Sequence, residues 1–174
     1  MTRRHIHYEA AFEDYLRSKG IPYVPVDETR KVIFSGSKIK SFDFLVYPGD
    51  NRHWIVDVKG RQFPYKTRRG RGRYWENWVT QQDLEGLAEW QKVFGEDFES
   101  YFVFAYLLSG APEHWPTGVP HRFREERYAF FSVTLTDYQA HCRVRSASWK
   151  TVSVARNAFR EITQLVDFSR TDSE

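Results

Sequence analysis

The sequence predicts an α/β domain: a mixed sheet flanked by helices, in the order helix, three strands, helix, strand, with a further strand and helices at the C-terminus. Three observations predict it. Residues 6–19 carry a helical apolar stripe that Gly20 ends. Two apolar runs of strand length, 40–47 and 53–59, flank Pro48-Gly49-Asp50-Asn51 and read as a hairpin. A second helical pattern, from Thr80 to Phe94, leads into the nearly continuous apolar run Tyr101–Leu108.

In the first helix, Tyr8, Ala11, Phe12, Tyr15 and Leu16 share one face at about 100° per residue, and Asp14 points away. Glu9 lies at the edge of that face beside Leu16, with Glu13 further out. His5 and His7 diverge on a helix and read as ordinary polar residues. Ile21–Val26 and Lys31–Ser35 are strand-like, with a turn at 27–29 and a break at Gly36-Ser37.

The hairpin carries an aspartate in each apolar run, Asp43 and Asp57. A turn over 48–52 pairs Tyr47 with His53 and sets Asp43 opposite Asp57. Like charges facing each other across strands are destabilising unless a cation or a shared proton joins them. Lys59, two residues beyond Asp57, falls on the same face by strand alternation.

Gly60 is expected to end this strand. Residues 61–74 then form a basic segment without acids: Arg61, Lys66, Arg68, Arg69, Arg71 and Arg73, with Gly70 and Gly72 interleaved. It is either a solvated loop or one that contacts phosphates. Tyr74, Trp75 and Trp78 fit core packing better than a platform for unstacked bases.

Thr80 fits a helix N-cap, with Asp83 near N3, and Gly95 a C-terminal cap. Leu84, Leu87, Ala88, Trp90 and Phe94 include the helix's apolar stripe, and Gln81 and Gln82 stand at its start. The run 101–108 reads as a strand buried on both faces. After a helix it pairs in parallel with a hairpin strand through a crossover. Beyond a Pro/Gly loop at 109–119, a strand at 127–133, a helix from Thr136 to Cys142 and a helix over 154–166 capped by Ser153 are expected, then a polar tail at 170–174. Arg143, Arg145, Lys150, Arg156 and Arg160 make this region basic.

The 174 residues, 41% hydrophobic and 28% charged, suit one globular domain, with a core over about 5–108 and a C-terminal elaboration over 109–170. Aromatics, at 17%, are plentiful, and a net charge of +3 is compatible with a nucleic-acid partner. Cys142 is the only cysteine, so no disulfide framework or cysteine metal site is available, and a reducing, cytoplasmic location is expected. The N-terminus lacks an apolar signal region, and no apolar run approaches the roughly 20 residues of a membrane span.

Glu9 on the first helix, Asp43 in one strand and Asp57-Val58-Lys59 at the end of the next resemble the PD-(D/E)XK nuclease superfamily, whose restriction-endonuclease-like core has the order αβββαβ. The spacing from Glu9 to Gly20 is similar to that of the small archaeal Holliday-junction resolvases. Phe42 stands where the superfamily has proline. The resemblance implies a Mg²⁺- or Mn²⁺-dependent endodeoxyribonuclease of repair, recombination or restriction. Asp43, Asp57 and the Val58 carbonyl would be metal ligands, and Glu9 would hold a metal-bound water or a second ion. Lys59 would orient the attacking water. Arg61, Lys66, Arg68, Arg69, Arg71 and Arg73 would grip the phosphate backbone, and Gln81 or Gln82 would be accessory. DNA is the expected partner, with RNA open and a homodimer compatible. The alternative is a non-catalytic nucleic-acid-binding or interaction module on the same fold.

Overall fold

A computed structural model describes residues 3–27, 33–34 and 37–168. The first helix, α1, spans Arg3–Ser18. Strand β1 is Tyr23–Pro25, and β2 (Ile33–Phe34) and β3 (Ser37–Lys38) form a small hairpin of their own. The central hairpin is β4 (Phe44–Gly49) and β5 (Arg52–Phe63), followed by β6 (Tyr65–Lys66), β7 (Gly72–Arg73) and β8 (Val79–Thr80). Helix α2 is Gln81–Phe94 and β9 is Phe98–Leu108. The C-terminal part comprises β10 (His121–Phe123), β11 (Glu126–Thr134), α3 (Leu135–His141), β12 (Arg143–Ser146), β13 (Thr151–Ser153), α4 (Arg156–Ile162) and β14 (Gln164–Leu165).

The main sheet has the order β1-β4-β5-β9-β11-β10, with β14 added alongside β11. Strands β5 and β9 are parallel from His53↔Phe98 to Phe63↔Leu108, joined through α2, as the crossover expectation requires, and the other pairings are antiparallel. Alternation sorts the two faces. Val56, Val58, Val103 and Ala105 meet the α1 stripe of Tyr8, Ala11, Phe12, Tyr15 and Leu16. Ile55, Phe63, Phe102, Phe104 and Tyr106 meet Leu87 and Trp90 of α2, Tyr138 of α3 and Phe159 of α4. The sheet is therefore covered on both sides, which is why β9 has almost no polar residue. Among the described residues, no helix is long and apolar enough to cross a membrane.

Several expectations are corrected. Strand β5 does not stop at Gly60 but continues to Phe63. Gly60 is needed there because a Cβ would lie 2.0 Å from Cδ2 of Tyr8. The glycine marks a helix–strand contact, not a strand end. The hairpin turn is not 48–52 but the pair Asp50-Asn51, both at positive φ (54° and 57°), as a two-residue primed turn demands. A register shift between Val46 and Gly49 absorbs the difference, so Phe44 still pairs with Val56 and Asp43 still comes level with Asp57. Tyr47 and His53 meet through their rings, 5.0 Å apart, within the shifted segment.

The 61–74 segment is not an open loop. It holds the end of β5 and the β6–β7 hairpin, in which Thr67 N donates to Arg71 O at 3.0 Å. Thr134, not Thr136, caps α3. Ser153 lies in β13 and does not cap α4, which spans only Arg156–Ile162. The expected strand at 31–35 and the tail at 170–174 fall largely or wholly outside the described residues.

The buried contact at Gly60 gives a direct test. Gly60→Ala should destabilise the protein by about 1–3 kcal/mol through overpacking against Tyr8. In urea unfolding, adding Tyr8→Ala should return part of that loss rather than add to it.

Candidate active site at the end of the central hairpin

The site begins just before β4 starts. Phe42 packs on the α2 side of the sheet and Phe44 on the α1 side, so strict alternation breaks at Asp43. Its backbone N donates to Val56 O at 2.9 Å, and its Oδ2 accepts from Val58 N at 2.6 Å. The carboxylate thus takes the place of a strand carbonyl along the exposed edge of β5. Asp57 and Lys59 lie on the α2 side, and the two aspartates are 6% and 7% exposed. A buried carboxylate needs hydrogen-bonding or charged partners to offset its lost hydration.

Lys59 supplies them for one aspartate and for a third acid. Its Nζ lies 3.1 Å from Asp57 Oδ2 and 3.1 Å from Asp83 Oδ1. Lys40, just before β4, also donates to Asp83 Oδ1. Asp83 closes the capping box of α2: its N donates to Thr80 Oγ1 at 3.0 Å, and its Oδ2 accepts from Thr80 N at 2.8 Å. The crossover brings the start of α2 over this part of β5, so a helix-capping carboxylate becomes part of the site. Gly86, one turn further on, lets the Lys40 segment lie against α2, since a Cβ there would be 3.1 Å from Lys40 O.

The electrostatics follow from these distances. Burial pushes the Asp57 carboxyl above its usual range, against the pull of Lys59 and with a further push from Asp83. Burial opposes the charge of Lys59, but Asp57 and Asp83 outweigh it and hold the ammonium above its ordinary value. For Asp83, burial is more than reversed by Lys59 and Lys40, and its pKa falls to about 2. Asp57 and Asp83 share the ammonium groups of Lys59 and Lys40, and Asp43 stands alongside, its Oδ2 held by Val58 N.

The structure therefore brings Asp43, Asp57 and Lys59 to one place. It adds Asp83 and Lys40, which sequence reasoning missed as site residues; the Thr80-x-x-Asp83 pattern was the only available signal for Asp83, and it reads as capping alone. Gln81 and Gln82 are exposed beside the buried Asp83. Glu9 is half-buried on α1, next to the Tyr8 that covers Gly60. Among the described residues, no three His, Cys, Asp or Glu side chains gather as metal ligands. The donors still fit Mg²⁺ in kind, because that ion commonly takes only one or two protein carboxylates and completes its shell with water and substrate oxygen.

An open cleft of about 650 Å³ lies along the last part of β5, lined by Gly60, Arg61, Gln62, Tyr8, Tyr65 and Trp78 among others. Arg61 is not on an exposed loop. Its Nη1 donates to Gly60 O at 2.8 Å, its Nη2 donates to Trp78 O, and its guanidinium stacks 4.1 Å from the centre of the Trp78 ring. Lys66, Arg68, Arg69 and Arg71 are exposed on or beside the β6–β7 hairpin, whereas Arg73 lines the cleft. Trp75 packs against Phe63, Tyr106 and Phe131.

No family model matches the chain, and no curated protein matches it. Among solved structures, the chain is similar to the Holliday junction resolvase Hjc of the archaeal hyperthermophile Archaeoglobus fulgidus, with a TM-score of 0.51 at 13% identity, over 90% of this chain and 92% of that one. The chain shares the restriction-endonuclease-like fold of that protein, a mixed sheet flanked by helices.

The low pKa of Asp83 has a pH signature. Its folded value of about 2 lies below the ordinary 3.8, so the stability it contributes is complete above about pH 4 and is lost as pH falls towards 2. Asp83→Asn should lower stability at neutral pH by about 2 kcal/mol. Urea midpoints measured between those pH values should fall more steeply for the parent protein than for the variant.

Proposed function

We propose that this protein is a metal-dependent nuclease that hydrolyses phosphodiester bonds, with DNA as the expected substrate. The observation that carries the reading is the pair of buried aspartates brought level across the end of the hairpin, with Lys59 beside them. The fold shared with a Holliday junction resolvase supports it, as does the cleft along the last part of β5 that carries Arg61, Arg73 and Arg145.

Asp43, Asp57 and the Val58 carbonyl would hold Mg²⁺ or Mn²⁺, with Glu9 as a candidate contact through water. Such an ion neutralises phosphate charge and makes a bound water acidic enough to act as a nucleophile. The chain's own residues do the rest. Asp43 is fixed by Val58 N–H, so its carboxylate is positioned before substrate arrives. Lys59 is kept charged by Asp57 and Asp83 and stands where negative charge grows on the phosphate oxygens during attack. It holds the water by hydrogen bonding and stabilises that charge. Asp83 pairs with both lysines while capping α2 through Thr80, so its role is to position them. Arg61, held by two carbonyls and a ring, presents a fixed positive edge to the strand beyond the scissile phosphate.

Of branched, single-stranded and duplex DNA incubated with Mg²⁺ or Mn²⁺, at least one should be cut by the parent protein. Asp57→Ala and Lys59→Ala should each lower the rate by roughly a hundredfold or more, the scale at which one transition-state electrostatic contact acts. No cleavage of any substrate, or equal cleavage by both variants, would overturn the nuclease reading. Retained binding without cleavage would instead identify a binding module on the same fold.

A further inference from the structure

Two hollows beside the candidate site share a wall. The larger, of about 650 Å³, begins at Gly60 and Arg61 and carries Tyr65 and Trp78 with Arg73 and Arg145. The smaller, of about 300 Å³, is lined by Arg73, Arg145 and Arg156 beside Trp75 and Trp78. Arg73, from β7, and Arg145, from β12, belong to both. Trp78 has the Arg61 guanidinium 4.1 Å from its ring centre and that of Arg145 at 5.4 Å.

Among the described residues, no carboxylate makes an ion pair with Arg73, Arg145 or Arg156. Glu76, which lines both hollows, is one acid among these arginines. Elsewhere on this molecule arginines do find acids: Arg17 with Glu13, Arg52 with Asp50, and Arg122 with Glu125. Arginines left unpaired together, alternating with aromatic rings, are the pattern that tracks a nucleic-acid backbone and stacks unpaired bases.

We infer that these hollows form one channel for an unpaired nucleic-acid strand. Arg73, Arg145 and Arg156 seat a phosphate beyond the scissile one, and the intervening base lies against Tyr65 or Trp78. The substrate class is thus single-stranded or flapped nucleic acid rather than continuous duplex. The link to a scissile phosphate rests on the nuclease reading. The channel itself rests on the cavities and the arginines. Two of the three arginines come from beyond residue 109, so the C-terminal part builds the substrate path as well as covering the sheet.

Fluorescence anisotropy tests this without chemistry. With EDTA present, the full chain is titrated onto short labelled oligo(dT), oligo(U) and a blunt duplex of equal length. Both or either single strand should bind roughly tenfold or more tightly than duplex. Arg145→Ala and Arg156→Ala should each weaken single-strand binding roughly tenfold and flatten its dependence on log salt by about 0.7. Arg122→Ala, on β10, should change neither. Duplex binding as tight as single-strand binding, or arginine variants with unchanged affinity and salt slope, would overturn the channel. Arginine-dependent single-strand binding without cleavage in any divalent metal would leave the channel and remove the nuclease. Duplex cleavage indifferent to Arg145 and Arg156 would do the reverse.

Discussion

The ammonium of Lys59 is the joint on which the site depends. It lies 3.1 Å from an acid of the sheet, Asp57, and 3.1 Å from an acid of the overlying helix, Asp83. Removing the shared ammonium would leave buried carboxylates uncompensated, which costs about 3–5 kcal/mol. The docking of α2 and the alignment of the site are consequently the same event. Lys40 closes the arrangement from the other side, and Trp90 Nε1 donates to Lys40 O at 2.9 Å, which ties the chain entering β4 to the same helix. Asp43 is held by Val58 N–H, and Asp57 is held out of water with its acidity weakened.

Steric fit on the opposite face keeps this geometry rigid. Tyr8 occupies the space a side chain at position 60 would need, so α1 lies directly on β5 just past Lys59. The strand then runs on to Phe63, fully paired with β9 along its length. Arg61 is carried at a fixed height and is further restrained by the Trp78 ring. The positive groups next to the acids therefore sit on a paired strand, where few side-chain torsions remain to be frozen when a ligand arrives.

Much of the layout was legible because burial writes itself into apolar periodicity. The α1 stripe and the two-faced strand β9 follow from it, and the α2 capping box follows from the polar pair Thr80 and Asp83. The level placement of Asp43 and Asp57 was read from an incorrect turn length. It survives because the tight Asp50-Asn51 turn and the shift after Val46 offset each other. What could not be read is long-range. Nothing in Thr80-x-x-Asp83 reveals that the capping acid also meets Lys59. Nothing near Arg61 announces a ring seventeen positions on, at Trp78. The three-stranded sheet β12-β13-β8 uses strands of two to four residues, too short for an alternation signal.

That small sheet carries a consequence for the chain as a whole. Strand β8 ends on Thr80, the cap of α2, and pairs with β13, where Thr151 meets Thr80 and Val152 meets Val79. Just upstream, Asn77 imitates a strand: its Nδ2 donates to Val154 O at 2.9 Å, and Val154 N donates to its Oδ1 at 2.8 Å, while Tyr138 donates its hydroxyl to Asn77 O at 2.7 Å. The backbone leading into the helix that bears Asp83 is thereby pinned by residues seventy positions later. A ribosome releasing this chain from its N-terminus would have the hairpin, both aspartates and Lys59 available well before the strand that locks α2 in place. Completion of the centre is thus timed to the emergence of residues 151–154, and a chain ended before them would carry the acids without the frame that aligns them.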